Sequence, residues 1–181
     1  MKKLVLTCMG KDKPGIVSKV SEVLFKMGCS IEGSRMSLLQ GEFSIILIFS
    51  LPKDENYHQL RRELKRVEYE MDIDINIREV DPYEYQETQK TPKKALLVNI
   101  YGADKPGIVF KVTTVLYNNS INIVDLFTDV IESGEEKVYV MSITADTSSI
   151  ESIEPVREEI KEICEDMKLE VSVQELEEAE M

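Results

Sequence analysis

The hydrophobic residues follow a pattern of short strands and amphipathic helices, and the first half of the chain shows its order clearly. Apolar residues at helical spacing follow a run rich in Leu and Val, and a later run alternates apolar and polar positions around Ile75. Gln40 and Gly41 separate two further apolar runs and predict a hairpin. The elements predicted here are a strand over 2–9, a helix over 14–27, strands over 30–39 and 42–51, a helix over 54–70 and a strand over 72–80.

The second half repeats this order of elements. It is predicted to hold a strand over 96–101, a helix over 106–118, strands over 121–132 and 137–145, a helix over 150–167 and a strand over 169–176. Residues spaced by three and four positions define the inward face of the first helix in each half. These inward residues are Ile16, Val17, Val20, Val23, Leu24 and Met27, and then Ile108, Val109, Val112, Val115 and Leu116.

An internal repeat explains why the two patterns agree. The segment 10–31 returns as 102–123, at an offset of 92 residues, with 12 identities in 22 positions. This period is too long for a solenoid repeat and has the size of a small domain, so it indicates a duplication. The predicted layout is a domain over 1–80, a polar linker with Pro at both ends over 81–94, a domain over 95–176, and an acidic tail over 177–181.

The order βαββαβ in each half predicts an α+β fold of a definite kind. Two βα crossovers in one such unit give a four-stranded antiparallel sheet with both helices on one face, which is the ferredoxin-like sandwich. The fold class does not assign a function, because many unrelated functions use it.

Composition limits the functions that remain. The 181 residues include 34 Asp and Glu against 22 Lys and Arg, a net charge of −12. This balance argues against direct binding of nucleic acid and of anionic membranes, which depends on cationic side chains. No run approaches the length of a membrane span, and the short apolar start is predicted to be a strand instead of a signal peptide. We therefore expect a cytoplasmic protein.

Chemistry-bearing residues are sparse. Cys8, Cys29 and Cys164 are widely spaced and predict reduced cysteines in the core, and with a single histidine, His58, they offer no metal site. No Ser or Cys has a recognisable base and orienting partner, and the acidic run from Glu68 to Asp74 is typical of a solvated helix end. The sequence thus predicts no catalytic residues, no cofactor and no metal.

The duplicated loop Gly-x-Asp-Lys-Pro-Gly is the better candidate for a site. Its first Gly ends a strand, its Asp is placed to cap the next helix, and its Pro suits the first helical turn. The helix N-terminus offers free N–H groups to a carboxylate, and the Asp offers a partner for an ammonium group. This pattern fits an amino-acid zwitterion, and it equally fits a strand-to-helix turn without a ligand.

The loop, the amphipathic helix after it, and the segments 28–32 or 120–125 together resemble the ACT domain, a ferredoxin-like module that binds amino acids and other small ligands. The tandem layout resembles the glycine cleavage system transcriptional repressor family, and segments 43–47 and 138–141 fit its third strands. The resemblance implies that the two domains pair side by side through edge strands. It also implies a ligand between the loop of one domain and the start of the second strand of its partner.

The resemblance implies particular ligand-binding residues. In the first half these are Gly10, Lys11, Asp12, Pro14, Gly15, Ile16 and Ser30, and in the second Gly102, Ala103, Asp104, Pro106, Gly107, Ile108 and Asn122. Asn122 matches a family Asn that often helps to hold the ligand, whereas the first half has Ser30 there. The two sites need not be equivalent, and the one that includes Asn122 is expected to be the better.

The function implied is a non-catalytic sensor of a small amino acid such as glycine or serine. It would act on transcription through a protein partner, and the chain is a possible homodimer. Two alternatives stay open, namely a regulatory subunit of an amino-acid metabolic enzyme and a ligand-free scaffold for assembly.

Overall fold

Each half of the chain forms one four-stranded antiparallel sheet and two helices, as the hydrophobic pattern predicts. The computed structural model describes residues 2–53, 56–80, 94–133 and 136–177. The chain divides into two units, Met1–Gln89 and Lys90–Met181. Most of the predicted linker (81–93) and of the predicted tail (178–181) lies outside the described residues.

The elements occur in the order βαββαβ in both units. The first unit comprises β1 (Lys2–Lys11), α1 (Ile16–Lys26), β2 (Ser30–Leu39), β3 (Glu42–Leu51), α2 (Tyr57–Met71) and β4 (Ile73–Glu79). The second comprises β5 (Lys94–Gly102), α3 (Ile108–Asn118), β6 (Asn122–Ser133), β7 (Glu136–Asp146), α4 (Glu154–Asp166) and β8 (Glu170–Glu177). None of the described helices is long and apolar enough to cross a membrane.

The first strand of each unit lies inside its sheet. The strand orders are β2-β3-β1-β4 and β6-β7-β5-β8, and every pairing is antiparallel. In β1, the side chains of Leu4, Leu6 and Cys8 alternate onto the helix-covered face and are almost fully buried. This is the ferredoxin-like sandwich, and the prediction of its topology is confirmed.

Each unit has its own hydrophobic core. In the first, residues of α1 and α2 such as Leu24 and Leu64 pack on inner positions of the sheet such as Phe49. In the second, Leu116 and Ile160 do the same. The two clusters share no residue, so each unit has a core formed by its own sheet and helices.

The helix starts differ from the predicted ones. Both α1 and α3 begin two residues later than predicted, because Gly15 and Gly107 take a left-handed backbone conformation and serve as N-caps. Pro14 and Pro106 therefore precede the helices and do not occupy their first turn. The prediction that Val17 and Val109 face inward is wrong, since they are 44% and 36% exposed, whereas Ile16 and Ile108 just before them are buried.

The hairpins end in different turns. In the first unit, Gln40 and Gly41 have φ angles of 48° and 84°, as the two central residues of a type I′ turn require. In the second unit, β6 and β7 have 12 and 11 residues, against 10 each in β2 and β3, so this hairpin is longer. Residues 134 and 135 of its predicted turn lie outside the described residues.

A register shift occurs at the same repeat position in both edge strands. It lies between Ile31 and Gly33 in β2 and between Ile123 and Asp125 in β6. The extra residue in β2 is Glu32, whose carboxylate lies 2.7 Å from the Nζ of Lys3 and accepts a hydrogen bond from the Ser50 hydroxyl. The bulge thus turns a charged side chain toward an inner strand.

Candidate functional site

The two predicted loops lie at one end of their sheets, between the first strand and the first helix. Gly102 is the last residue of β5 and Gly10 is the residue before the last of β1, and their φ angles are 151° and 157°. A Cβ on Gly10 would lie 2.9 Å from the Cγ2 of Ile73, and one on Gly102 would lie 2.7 Å from the Cδ2 of Leu169. Glycine is favoured at both positions because residues with side chains rarely adopt these φ angles, and at Gly10 also because Ile73, the first residue of β4, lies so close.

The helix N-termini after these loops are uncapped by side chains. Gly15 and Gly107 are the N-caps, and neither helix has a side-chain hydrogen bond at its cap. The expectation that Asp12 and Asp104 cap the helices is therefore wrong, and both carboxylates are exposed. The Ile16 amide donates a hydrogen bond of 3.5 Å to the carbonyl oxygen of Lys13, whereas the amides at the start of α3 keep their hydrogen-bonding capacity for another acceptor.

The lysine of each loop has a structural role that the sequence-based site omitted. The Nζ of Lys13 donates to the carbonyl oxygen of Met71 at 2.9 Å and lies 3.7 Å from the Asp72 carboxylate. In the second unit, Lys105 donates to the carbonyl oxygen of Met167. The sequence could have indicated this lysine, because it is present in both copies of the loop. The predicted Lys11, in contrast, is an exposed residue at the end of β1.

An open groove of about 550 Å³ lies beside the second loop. Its walls are the loop, the start of α3, and the neighbouring part of β6 and β7, and it is lined by Asp104, Lys105, Gly107, Ile108, Val109, Phe110, Thr128 and Tyr139. Three predicted residues, Asp104, Gly107 and Ile108, therefore meet in it. Ile108 also belongs to the core, where only 2% of it is exposed.

Tyr139 lines this groove, and the sequence did not indicate that this residue lies beside the loop. It pairs with Gly102 across β5 and β7 and is 8% exposed. Burial, followed by the nearby Asp104 carboxylate, raises the pKa of the Tyr139 phenol above its ordinary value of 10.0. The hydroxyl therefore stays protonated at neutral pH and is available as a hydrogen-bond donor.

Ser30 and Asn122 lie far from the loops of their own units. Asn122 pairs with Asp146, whose other neighbour is Ala95, whereas the loop begins after Gly102. Seven strand positions separate Ala95 and Gly102, which is about 23 Å along a strand. Ser30, which pairs with Ser50, occupies the same end of its sheet. Within one unit, the structure does not bring these two residues to the predicted loop.

Other chemistry-bearing residues have ordinary surroundings. His58 is exposed, as predicted, and has an edge-on ring contact with Tyr57. Cys8 and Cys164 are buried, which raises the pKa of each thiol to about 11; Asp74 and Glu68 add to the shift at Cys8. Cys29 is half-buried.

The acidic run at the end of α2 is paired with cations. Glu70 accepts a hydrogen bond of 2.8 Å from Lys19, Asp72 lies near Lys13, and Glu68 lies against Lys65. Over the described residues, no group of three or more His, Cys, Asp or Glu side chains is arranged to hold a metal ion.

Comparisons with known proteins match both units. One ACT-domain family model matches residues 2–78, and another matches residues 97–165. A UPF0237 protein of Methanopyrus kandleri is 31% identical over 84 residues, which are 46% of this chain and 93% of that protein.

Two further likenesses concern a repressor and a solved structure. The glycine cleavage system transcriptional repressor of Escherichia coli is 43% identical over 47 residues, 26% of this chain and 25% of the repressor. The crystal structure of an unknown protein from Galdieria sulphuraria has a TM-score of 0.78 at 22% identity, over 97% of this chain and 98% of that one. The similarity to the Galdieria sulphuraria structure shows that almost the whole chain shares its fold.

Proposed function

Because the chain belongs to the ACT-domain family and contains two such domains in tandem, we propose that it is a non-catalytic regulatory protein that senses a small amino acid. The observation that carries this proposal is the uncapped N-terminus of α3 beside the exposed Asp104 carboxylate, with an open groove between them. A helix N-terminus attracts a carboxylate, and an aspartate attracts an ammonium group. Together they match the two charged ends of a free amino acid such as glycine or serine.

The proposed regulation is indirect. The net charge of −12 is unsuited to direct contact with DNA, so control of transcription would pass through a protein partner. The local identity to a transcriptional repressor supports this role. A bound amino acid can shift the protein between two arrangements only by its different affinity for each, typically about 1–3 kcal/mol.

The proposal includes one feature that the family resemblance implies, namely completion of each site by the second strand of a neighbouring domain, through Ser30 or Asn122. It also includes a cytoplasmic location, which the three free cysteines favour because thiols stay reduced there.

A thermal-shift screen with the twenty proteinogenic amino acids tests the proposal. An amino acid at about 100 times its Kd stabilises the protein by about 2.7 kcal/mol, which raises Tm by several degrees. Asp104→Ala is expected to remove the shift without lowering Tm in buffer, since the carboxylate is exposed. Asp166→Ala, at an exposed position at the end of α4, is the matched control. Absence of a shift with every amino acid at millimolar concentration would refute the proposal.

A further inference from the structure

One edge of the first sheet lies beside a groove with a cationic wall. β4 is the last strand in the order β2-β3-β1-β4, and among the described strands it pairs only with β1. A groove of about 480 Å³, here called the β4 groove, lies between β4 and α2. It is lined by Arg61, Arg62, Leu64, Lys65, Glu68, Ile75, Asn76 and Ile77. The lining thus includes three cationic side chains and one carboxylate.

The cationic side chains of the β4 groove are exposed and only partly paired. Arg61 forms no ion pair among the residues that the structure describes. The Nε of Arg62 lies 3.9 Å from the Glu63 carboxylate, and the Arg62 side chain is 66% exposed. Lys65 is paired with Glu68, and its side chain is 72% exposed. The two guanidinium groups can therefore form further charge-assisted hydrogen bonds with carboxylates.

The floor of the β4 groove is apolar and belongs in part to the edge strand itself. Ile75 and Ile77 alternate along β4 onto the helix-covered side of the sheet, where both are half-buried, and Leu64 of α2 is 1% exposed. The free backbone groups of an edge strand can pair with an added strand, whose side chains alternate between the two faces. A segment that adds to β4 would therefore place every second side chain over this floor and beside the cations.

The fold does not require these cations, because the second unit has the same edge with a different charge. α2 has four Arg and Lys residues against three Glu, whereas α4 has two against six Asp and Glu. Met71 and Met167 accept the equivalent lysine hydrogen bonds and so align the two helices, which places Glu158 where the first unit has Arg62. The second edge strand, β8, adds three Glu residues. A cationic edge is thus a feature of the first unit alone.

We propose that the β4 groove is the docking site for an acidic, extended segment of a protein partner, which adds to the first sheet as a fifth strand beside β4. Backbone hydrogen bonds to β4 pair the two strands, and carboxylates of the segment form ion pairs with Arg61, Arg62 and Lys65. The proposal rests on the function argued above only for the existence of a protein partner. It does not involve the groove beside the second loop.

The charges also limit where the carboxylates of the segment lie. A neighbouring groove, at the start of β4, is lined in part by Asp72 and Asp74. Like charges in close contact repel each other, so the carboxylates are expected beside Ile75 and Ile77 instead of beside Asp74. The cationic half of the edge thus selects the acidic part of the segment.

Fluorescence anisotropy with the full chain and a labelled peptide tests the proposal. The probe is an eight-residue peptide in which Glu and Val alternate, and it is expected to bind the wild type. In the triple variant Arg61→Gln/Arg62→Gln/Lys65→Gln, the loss of three exposed ion pairs predicts a Kd about 5- to 100-fold higher. Tm and far-ultraviolet circular dichroism of this variant without peptide verify that it folds, since all three side chains are exposed.

A second triple variant is the matched control. Lys26→Gln/Lys111→Gln/Lys137→Gln removes the same charge at exposed positions outside the β4 groove, so it is expected to keep the wild-type Kd. Equal Kd values in the two triple variants would show that the peptide responds only to the net charge of the chain, and would overturn the proposal.

Strand addition has its own test. The same peptide with a methyl group on every backbone nitrogen keeps its charge but cannot donate to β4, so its Kd is expected to be at least about tenfold higher. Hydrogen–deuterium exchange of the chain with the unmodified peptide is expected to be slower in β4 and unchanged in β8. Equal binding of the methylated peptide, or slower exchange in β2 or β8 in place of β4, would overturn strand addition to β4.

The remaining outcomes separate docking from amino-acid sensing and from self-association. Absence of binding by the wild type at millimolar peptide would overturn docking at the β4 groove, while the thermal shift with an amino acid, which needs no peptide, would still test sensing. Absence of that thermal shift, with the peptide bound as expected, would overturn sensing alone. Analytical ultracentrifugation without peptide tests another occupant. A wild-type dimer that the Arg61→Gln/Arg62→Gln/Lys65→Gln variant lacks would assign the groove to a second copy and overturn the separate partner.

Discussion

The side-chain amine of Lys13 donates a hydrogen bond of 2.9 Å to the carbonyl oxygen of Met71, the last residue of α2. Lys105 and Met167 form the same contact in the second unit. The last carbonyl groups of a helix lack intrahelical partners and carry partial negative charge, which a lysine satisfies. Each candidate loop is thereby fastened to the far end of the second helix of its own unit.

Removal of this contact is expected to destabilise the second unit. Lys105→Met keeps most of the side-chain stem and loses the amine, at a cost of about 1–2 kcal/mol in the free energy of unfolding. Urea denaturation monitored by circular dichroism measures this difference. Lys111→Met is the control, because the Lys111 side chain is exposed and forms no hydrogen bond or ion pair with the described residues. Equal stabilities of the two variants would contradict the structural role of Lys105.

A side chain at Gly102, the glycine before the second loop, is expected to lower the stability of the second unit. In Gly102→Ala the new methyl group would lie 2.7 Å from the Cδ2 of Leu169, so that side chain must move, and alanine would be held at a φ of 151°, which L residues rarely adopt, at a cost of about 1–3 kcal/mol. Gly33→Ala is the matched control, since nothing lies within 4 Å of its Cβ position and its φ is not positive. The melting temperatures of the two variants distinguish them, and a stable Gly102→Ala protein would show that the contact is not restrictive.

The buried cysteines predict a loss of stability in alkali. Burial raises the pKa of Cys164 from 9.0 to about 11, so the thiol ionises first in the unfolded chain. Between these pH values the folded state binds more protons than the unfolded state, and the free energy of unfolding falls as pH rises. The stabilisation is fully present below pH 9, and its loss amounts to about 2–3 kcal/mol by pH 11.

Comparison with Cys164→Ala isolates this effect. The variant lacks the titrating thiol, so its deficit relative to the wild type is expected to shrink from pH 8 to pH 11 in urea titrations. Val112→Ala, another truncation of a fully buried side chain in the same core, serves as control because its deficit involves no titration. Parallel curves for the wild type and Cys164→Ala would refute the raised pKa.

Because each unit has its own hydrophobic core, we expect each unit to fold without the other. The buried clusters of the two units share no residue, so fragments 1–80 and 94–181 are each expected to fold with their own helices and sheet. Cooperative urea unfolding of each fragment, followed by circular dichroism, measures this. A fragment that stays unfolded in buffer would show that its core depends on the other half.

The sequence indicated the repeat, the order of helices and strands along the chain, and the loops, because these depend on local spacing and on identity between the two halves. It misplaced the helix starts, since only the φ angles of Gly15 and Gly107 show that these glycines are caps. It missed Tyr139, because the partner of a strand residue depends on register across two strands. In the sequence, Tyr139 is simply one more apolar position of a strand.

The bulges at Glu32 and Val124 have a consequence for growth of the sheets. Both lie in edge strands, whose free backbone groups attract additional strands. A bulge interrupts the regular ladder that such an addition needs. A strand added to β2 therefore finds an uninterrupted run of backbone groups only over Gly33–Leu39, so the bulge sets how far along this edge another strand can pair.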